Sequence, residues 1–326
     1  MKIIRTAIAL LAWLLVPHSA HSATLPGLPE FIDEMVAKHQ FRRGELENVF
    51  ARAQHLPAVI ELISRPATTK PWPEYRAAFV NPKRVKLGLE FWNKYRHTLR
   101  RAEQKYGVPQ EIIIAVIGVE TIYGQNAGNF LVLDALTTLA FDYPRRADFF
   151  RGELENYLLL AREQQFDLLA IRGSYAGALG IPQFMPGSYR NYAVDFNANH
   201  KIDLLREDRD AIGSVANYLQ GYGWIRNGPI AARAQIGGEL PTGEIRTPRT
   251  LLEWTAAGVA PSASFAPDQS ARLIDFTVEE GREFWLAFNN FEVITRYNNS
   301  DYYAMSVFQL AEELKAARRA RASLPK

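Results

Sequence analysis

Residues 109–124 read Pro109-Gln110-Glu111-Ile112-Ile113-Ile114-Ala115-Val116-Ile117-Gly118-Val119-Glu120-Thr121-Ile122-Tyr123-Gly124. Pro109 and Glu111 are the residue types that open a helix. Ile112, Ile113, Ile114, Val116, Ile117 and Val119 make that helix apolar on nearly every side, so it is expected to be buried inside a helical domain. One charge, Glu120, closes it. A carboxyl group in low dielectric, near the negative end of the helix dipole, is pushed towards its neutral form. A positioned, protonated carboxylic acid can protonate a glycosidic oxygen. The helix pattern alone leaves a second reading open, in which Glu120 turns out to water or pairs with an arginine. Glu111 lies at the other end of the same helix, where the dipole stabilises a charge.

On both sides of this helix the chain continues to read as mainly α. Phe31, Ile32, Met35 and Val36, then Leu46, Val49 and Phe50, recur at helical spacing. Ser64 to Pro73, with Pro66, Pro71 and Pro73, is expected to be an extended connection. Asn81-Pro82 opens a further helical stretch. Helices are expected over Leu133–Ala140, Arg145–Gln165 and Ala211–Gly221, and from Tyr303 to Ala322. Between about Arg226 and Glu280 the prolines 229, 241, 248, 261 and 267, with Gly237, Gly238 and Gly243, break the pattern. Leu273, Phe276 and Val278, then Phe284 to Phe288, suggest short strands in a small inserted subdomain.

The first residues set the compartment. Lys2 and Arg5, the apolar run Ala7 to Val16 and the small residues from His18 to Ala23 have the order of a cleaved signal peptide. The run is too short to span a membrane, which takes roughly 20 residues. The 326 residues include no cysteine, hence no disulfide framework and no acceptor for an N-terminal lipid. A soluble, periplasmic protein without a membrane anchor is expected. The net charge is +3, and removal of Lys2 and Arg5 leaves the mature chain near +1. That charge, with no basic patch interleaved with aromatics, argues against nucleic acid. The basic cluster Lys315 to Arg321 reads as the solvated end of a helix, with attraction to an anionic polymer or partner as the alternative. No residue pattern points to a protein partner.

Val119-Glu120-Thr121-Ile122-Tyr123-Gly124 is followed, in order, by a set of further motifs. These are Phe141-Asp142-Tyr143-Pro144-Arg145-Arg146-Ala147, the loop Gly173-Ser174-Tyr175-Ala176-Gly177-Ala178-Leu179-Gly180-Ile181-Pro182-Gln183-Phe184-Met185-Pro186, Asp210 to Tyr218, and Thr295-Arg296-Tyr297-Asn298. From about Tyr75 to Leu310 the chain resembles the lytic murein transglycosylase B family. The resemblance implies a lysozyme-like catalytic core. It implies cleavage of the β-1,4 bond between N-acetylmuramic acid and N-acetylglucosamine without water, giving 1,6-anhydromuramic ends. Glu120 falls on the family's single acid/base, and no cofactor is implied for catalysis.

By the same resemblance Ser174, Gln183, Tyr297 and Asn298 fall on substrate-binding positions. Tyr75, Tyr143, Arg145, Arg146, Phe184, Tyr218 and Tyr303 line the groove for peptidoglycan glycan strands. These residue types suit sugars, through amide and hydroxyl hydrogen bonds and aromatic faces. Arg145 and Arg146 suit the carboxylates of a muropeptide. Tyr143-Pro144 also reads simply as a turn before a helix. A hydrolytic muramidase and a non-catalytic peptidoglycan-binding protein are the competing functions; the first would need a second carboxylate.

Asp195, Asn197, Asn199 and Lys201, the last through its carbonyl, alternate as in a calcium loop, and Asp210 is placed for a late ligand. The family's core contains such a site, which implies a structural calcium ion. His200 stands where the turn glycine is expected, and Arg206 where a bidentate glutamate is. The alternative is a polar loop closed by side-chain hydrogen bonds. The organisation expected is a signal peptide at 1–23, an N-terminal helical region at 24–104 and a lysozyme-like core at 105–225. A small mixed insertion at 226–283 and a return to the core with a C-terminal helix at 284–326 complete it.

Overall fold

A computed structural model describes residues 25–65, 70–238 and 246–323. The expected signal peptide at 1–23, Pro66, Pro241 and Gly243 lie outside them. The described chain is mainly α, as its periodicity indicates, with a small antiparallel sheet inserted. Among the described residues no helix is long and apolar enough to cross a membrane.

Two compact units form, the first ending at Ala51. In it helices Leu28–His39 and Arg43–Phe50 close a small core of their own. Phe31 meets Phe50 edge-on at 6.1 Å, beside the buried Met35 and Leu46.

The second unit is built around helix Gln110–Thr121. All its residues from Ile112 to Val119 are buried. Withdrawing an isoleucine or valine side chain from water contributes roughly 1.5–3 kcal/mol, so this helix adds substantially to core stability. Helices Pro82–Lys94, Arg96–Tyr106, Asp208–Gly221 and Asp301–Ala322 pack around it. Asn81 caps the first of these by accepting from the Arg84 N–H at 3.0 Å. Gly118 is where the side chain of Tyr123 folds back on the helix. A Cβ at that position would lie 2.6 Å from the Tyr123 hydroxyl.

Helices Val132–Asp142 and Ala147–Gln164 pack against each other. A single 3-10 turn, Pro144–Arg146, joins them, so the second helix starts two residues later than its sequence suggests. Pro73 differs from expectation. It sits in the first turn of helix Trp72–Phe79, where its missing N–H costs no bond, and is not part of the connection.

The insertion forms a sheet in the order Arg249–Thr250, Ser270–Val278, Gly281–Ala287, Ala231–Ile236, Val259–Pro261. Its central hairpin pairs Leu273 with Leu286 and turns through Glu279-Glu280. Trp254, Val259, Leu273, Leu286 and Phe288 form its core. The strand Gly281–Ala287 spans the border expected at 283/284, because it completes the sheet before the chain re-enters the helical core.

Candidate active site

Glu120 occupies the penultimate position of its helix and is half-buried. Burial pushes its carboxyl from the ordinary 4.5 up to about 7, and a hydrogen bond from Tyr303 pulls the other way. The buried Tyr303 hydroxyl donates to Glu120 Oε1 at 2.5 Å. Burial and the neighbouring Glu120 charge hold the Tyr303 phenol well above its usual range, so it stays a donor. The side chain that Glu120 bonds is a tyrosine and not an arginine, and Glu120 keeps partial exposure.

Two chain segments are pinned to this acid through consecutive carbonyls. Thr121, the residue after Glu120, donates its hydroxyl to the Ile181 carbonyl at 2.8 Å. Tyr297 donates to the Pro182 carbonyl at 2.7 Å. The loop 173–186 is thereby tied to the end of the acid helix on one side and to the Tyr297 turn on the other. Gly180 allows the close approach this needs. It has φ 69°, and a Cβ there would lie 2.2 Å from the Leu204 carbonyl oxygen.

Within that loop the polar groups are half spent. Ser174 Oγ accepts from the N–H groups of Ala176 and Ala178 at 3.2 and 3.0 Å, which leaves its own hydrogen to donate. Gln183 Nε2 donates to the carbonyls of Ala127 and Gly180 at 3.0 and 2.8 Å, which leaves the amide oxygen to accept. Gln183 holds φ at 52°, the left-handed region, so its backbone is strained into this orientation.

The aromatic residues sort into groups. Tyr297 stacks on Tyr303 with centroids 6.4 Å apart, and meets Phe184 at 5.8 Å and Tyr218 at 4.8 Å. The Tyr218 hydroxyl donates to the Arg296 carbonyl at 2.6 Å, fixing the turn that exposes Asn298. Tyr75 belongs to the same neighbourhood. Burial and the Glu120 charge push its phenol up to about 12. It is braced by Trp72, Phe79 and Tyr302.

Tyr143, Arg145 and Arg146 gather instead at the start of helix Ala147–Gln164. Tyr143 is buried against Phe150, while both arginines are exposed and Arg146 lies over the Phe149 ring at 4.2 Å. The turn expected at Tyr143-Pro144 is therefore present, with the arginines on its outer face.

Sequence reasoning placed Tyr303 on the groove wall and missed its bond to the acid. It missed Thr121, whose hydroxyl in the next position was the available signal, and Trp72 and Tyr302 behind Tyr75. It also missed Arg84, which donates to the Gly118 carbonyl while accepting at its own carbonyl from Tyr123 at 2.9 Å.

In the loop 195–210, Asp195 accepts from the N–H groups of Asn199 and His200 at 3.1 and 2.7 Å. Asn197 and Asn199 accept from Asn199 and Lys201 at 3.0 and 2.9 Å. His200 takes the positive φ of 66° that a glycine would supply. Asp210 is fully buried and accepts from the N–H groups of Phe196, Asn197 and Asp203 at 2.9, 3.2 and 3.0 Å. Its carboxylate is engaged in closing the loop from behind. Among the described residues no three His, Cys, Asp or Glu side chains gather as a metal cage. Asp195, Asn197, Asn199 and Asp203 likewise accept backbone N–H groups within the loop, each oxygen keeping a further lone pair.

The chain matches the model of the transglycosylase SLT domain over residues 25–312. It is 44% identical over 308 residues to the membrane-bound lytic murein transglycosylase B of Escherichia coli, covering 91% of this chain and 84% of that one. It is similar to the crystal structure of the soluble lytic transglycosylase SltB1 of Pseudomonas aeruginosa, with TM-score 0.85 and 45% identity, over 90% of this chain and 100% of that chain. It is likewise similar to the lytic transglycosylase Slt35 of Escherichia coli in complex with calcium, with TM-score 0.85 and 43% identity, over 91% of this chain and 95% of that chain. The lysozyme-like core with a small strand-containing insertion, expected from the motifs, is the fold these structures share with it.

Proposed function

The chain belongs to the transglycosylase SLT domain family, and from that membership we propose that Glu120 is the single acid and base with which it opens glycan strands. It is a lytic transglycosylase that cleaves peptidoglycan. The observation that carries the acid assignment is the pairing of the Glu120 carboxyl, at the end of the buried helix, with the buried Tyr303 hydroxyl.

Tyr303 donates to one oxygen of Glu120, so the proton rests on the other. That oxygen delivers it to the glycosidic oxygen as the bond to muramic C1 breaks. Glu120, now ionised, takes the proton of the muramic C6 hydroxyl while O6 bonds to C1. The proton count returns to its start, no water is consumed, and a 1,6-anhydro end results. A carboxyl balanced near 7 suits both halves of this cycle. The free hydroxyl hydrogen of Ser174, the free amide oxygen of Gln183 and the exposed amide of Asn298 are the groups we assign to the substrate's hydroxyl and acetamido positions. Tyr75, Tyr297, Phe184, Tyr218 and Tyr303 form the groove wall. Tyr143, Arg145 and Arg146 meet the muropeptide further out.

The leader-like residues 1–23 support export to the periplasm. The loop 195–210 supports a calcium site weaker than one with the full set of carboxylates, since amide and carbonyl oxygens fill several of its positions and Arg206 stands where a bidentate glutamate is expected. The decisive experiment is product mass analysis after digestion of purified sacculi. Anhydro ends are expected from the wild type and no turnover from Glu120→Gln. Products carrying the mass of an added water would replace the mechanism with hydrolysis.

A further inference from the structure

Behind the rings nearest Glu120, aromatic contacts continue to the surface. Tyr303 stacks on Tyr297, and Tyr297 meets Tyr218 at 4.8 Å. Tyr218 in turn meets Tyr222 at 4.6 Å and Tyr192 at 5.0 Å, and those two rings are 5.3 Å apart. The inner rings are buried or, at Tyr297, half-buried, and the outermost is open. Tyr303 is 2% exposed, Tyr218 5% and Tyr222 40%.

Tyr222 caps the C-terminus of helix Asp208–Gly221, while Tyr192 ends helix Pro186–Tyr192, the helix that follows the loop 173–186. Asn217 Nδ2 donates to the Tyr192 carbonyl at 2.9 Å, so the two segments are fixed to each other. The sequence neighbours Asn191 and Gln220 are exposed amides. A half-exposed phenol offers a sugar both an apolar ring and a hydroxyl. A core packing role asks for none of this exposure at Tyr222.

We infer that Tyr222, supported by Tyr192, is an outer platform of the groove. It stacks on a sugar of the glycan strand further from the cleaved bond than those held around Glu120. The inference rests on Glu120 being the site of cleavage, because continuity with Glu120 is what selects a glycan strand as the occupant. The platform makes the enzyme sensitive to strand length. A short oligomer ends before it, whereas a long strand reaches it and gains a stacking contact.

The test is kcat/KM on defined peptidoglycan oligomers, from tetrasaccharide upwards, for the wild type, Tyr222→Ala and Tyr222→Phe. One aromatic stacking contact corresponds to roughly a three- to tenfold effect. In Tyr222→Ala the ratio of kcat/KM on the longest to the shortest oligomer should fall by about that factor, and Tyr222→Phe should keep the wild-type ratio. An unchanged ratio in Tyr222→Ala overturns the platform, as does equal loss at every length, which would mark general damage to the fold. Glu120→Gln reports separately on the premise. Turnover persisting in that variant removes the acid assignment, whatever the length dependence shows.

Discussion

Replacing Glu120 with Gln should stabilise the protein as it silences it, and by an amount that depends on pH. In the folded chain the Glu120 carboxyl keeps its proton up to about 7, whereas its ordinary value is 4.5. Between these values the folded state binds a proton that the unfolded state has lost. Wild-type stability therefore falls as pH rises through that window. At about 1.36 kcal/mol per pH unit, the ionisable group costs roughly 3 kcal/mol at pH 7 and under about 1 kcal/mol at pH 5. Glutamine has the same shape and can still accept the Tyr303 hydrogen bond, but it has no proton to lose. Urea unfolding of both proteins at pH 5 and pH 7 measures the difference directly. Glu120→Gln should be the more stable by about 3 kcal/mol at pH 7, with the gap closing at pH 5. A gap of equal size at the two pH values, or a less stable variant at pH 7, would refute the account of Glu120 as a desolvated carboxyl.

Tyr303→Phe removes the one hydrogen bond that lowers the Glu120 carboxyl, so that carboxyl should rise further. The loss of kcat/KM on the alkaline side should then move up by roughly one pH unit, the scale of a hydrogen bond to a charged group; a pH–rate profile with an unmoved limb would show that Tyr303 does not act on the acid. Asp210→Ala leaves three backbone N–H groups without their acceptor and should cost roughly 2–4 kcal/mol in urea unfolding, whereas a near-neutral result would mean that water satisfies them. Millimolar calcium should raise the Tm by a few degrees through the loop 195–210, an effect that Asp195→Ala should abolish; no change in the wild type would leave that loop as a hydrogen-bonded turn alone.

The central helix was legible because its apolar residues cover every face, a pattern that only a buried helix tolerates. Glu120 stood out against it for the same reason. Its partner did not, because Tyr303 is 183 positions away and no local periodicity reports a contact of that separation. The insertion was legible only as broken sequence with two strands. Strand Ala231–Ile236 carries mostly small or polar residues, and strand Arg249–Thr250 is only two residues long. Their places in the sheet are fixed by pairing with distant strands, not by their own pattern. The spacing of Asp195, Asn197, Asn199 and Asp210 identified a closed polar loop, but alternation of oxygen ligands cannot tell a carboxylate aimed at a cation from one aimed at amides. Asp195 and Asp210 both accept backbone amides in that loop.

The site depends on several segments meeting, and the structure shows how they are kept in register. The proposed catalysis by one carboxyl would tolerate little displacement, because the same group would have to reach first the glycosidic oxygen and then the C6 hydroxyl. Ile181 and Pro182 are the common reference. One carbonyl is held by Thr121, next to the acid, and the other by Tyr297, which stacks on the tyrosine that holds the acid. The helix end, the loop 173–186 and the Tyr297 turn thus form a closed ring of contacts. Shifting any one of them strains the other two. The roughly 3 kcal/mol predicted as the cost of Glu120 at pH 7 would be small beside the burial of the eight residues before it, which keep that ring rigid. An apolar helix ending in an acid is therefore one device, in which the buried length supplies the stability that its last turn gives up.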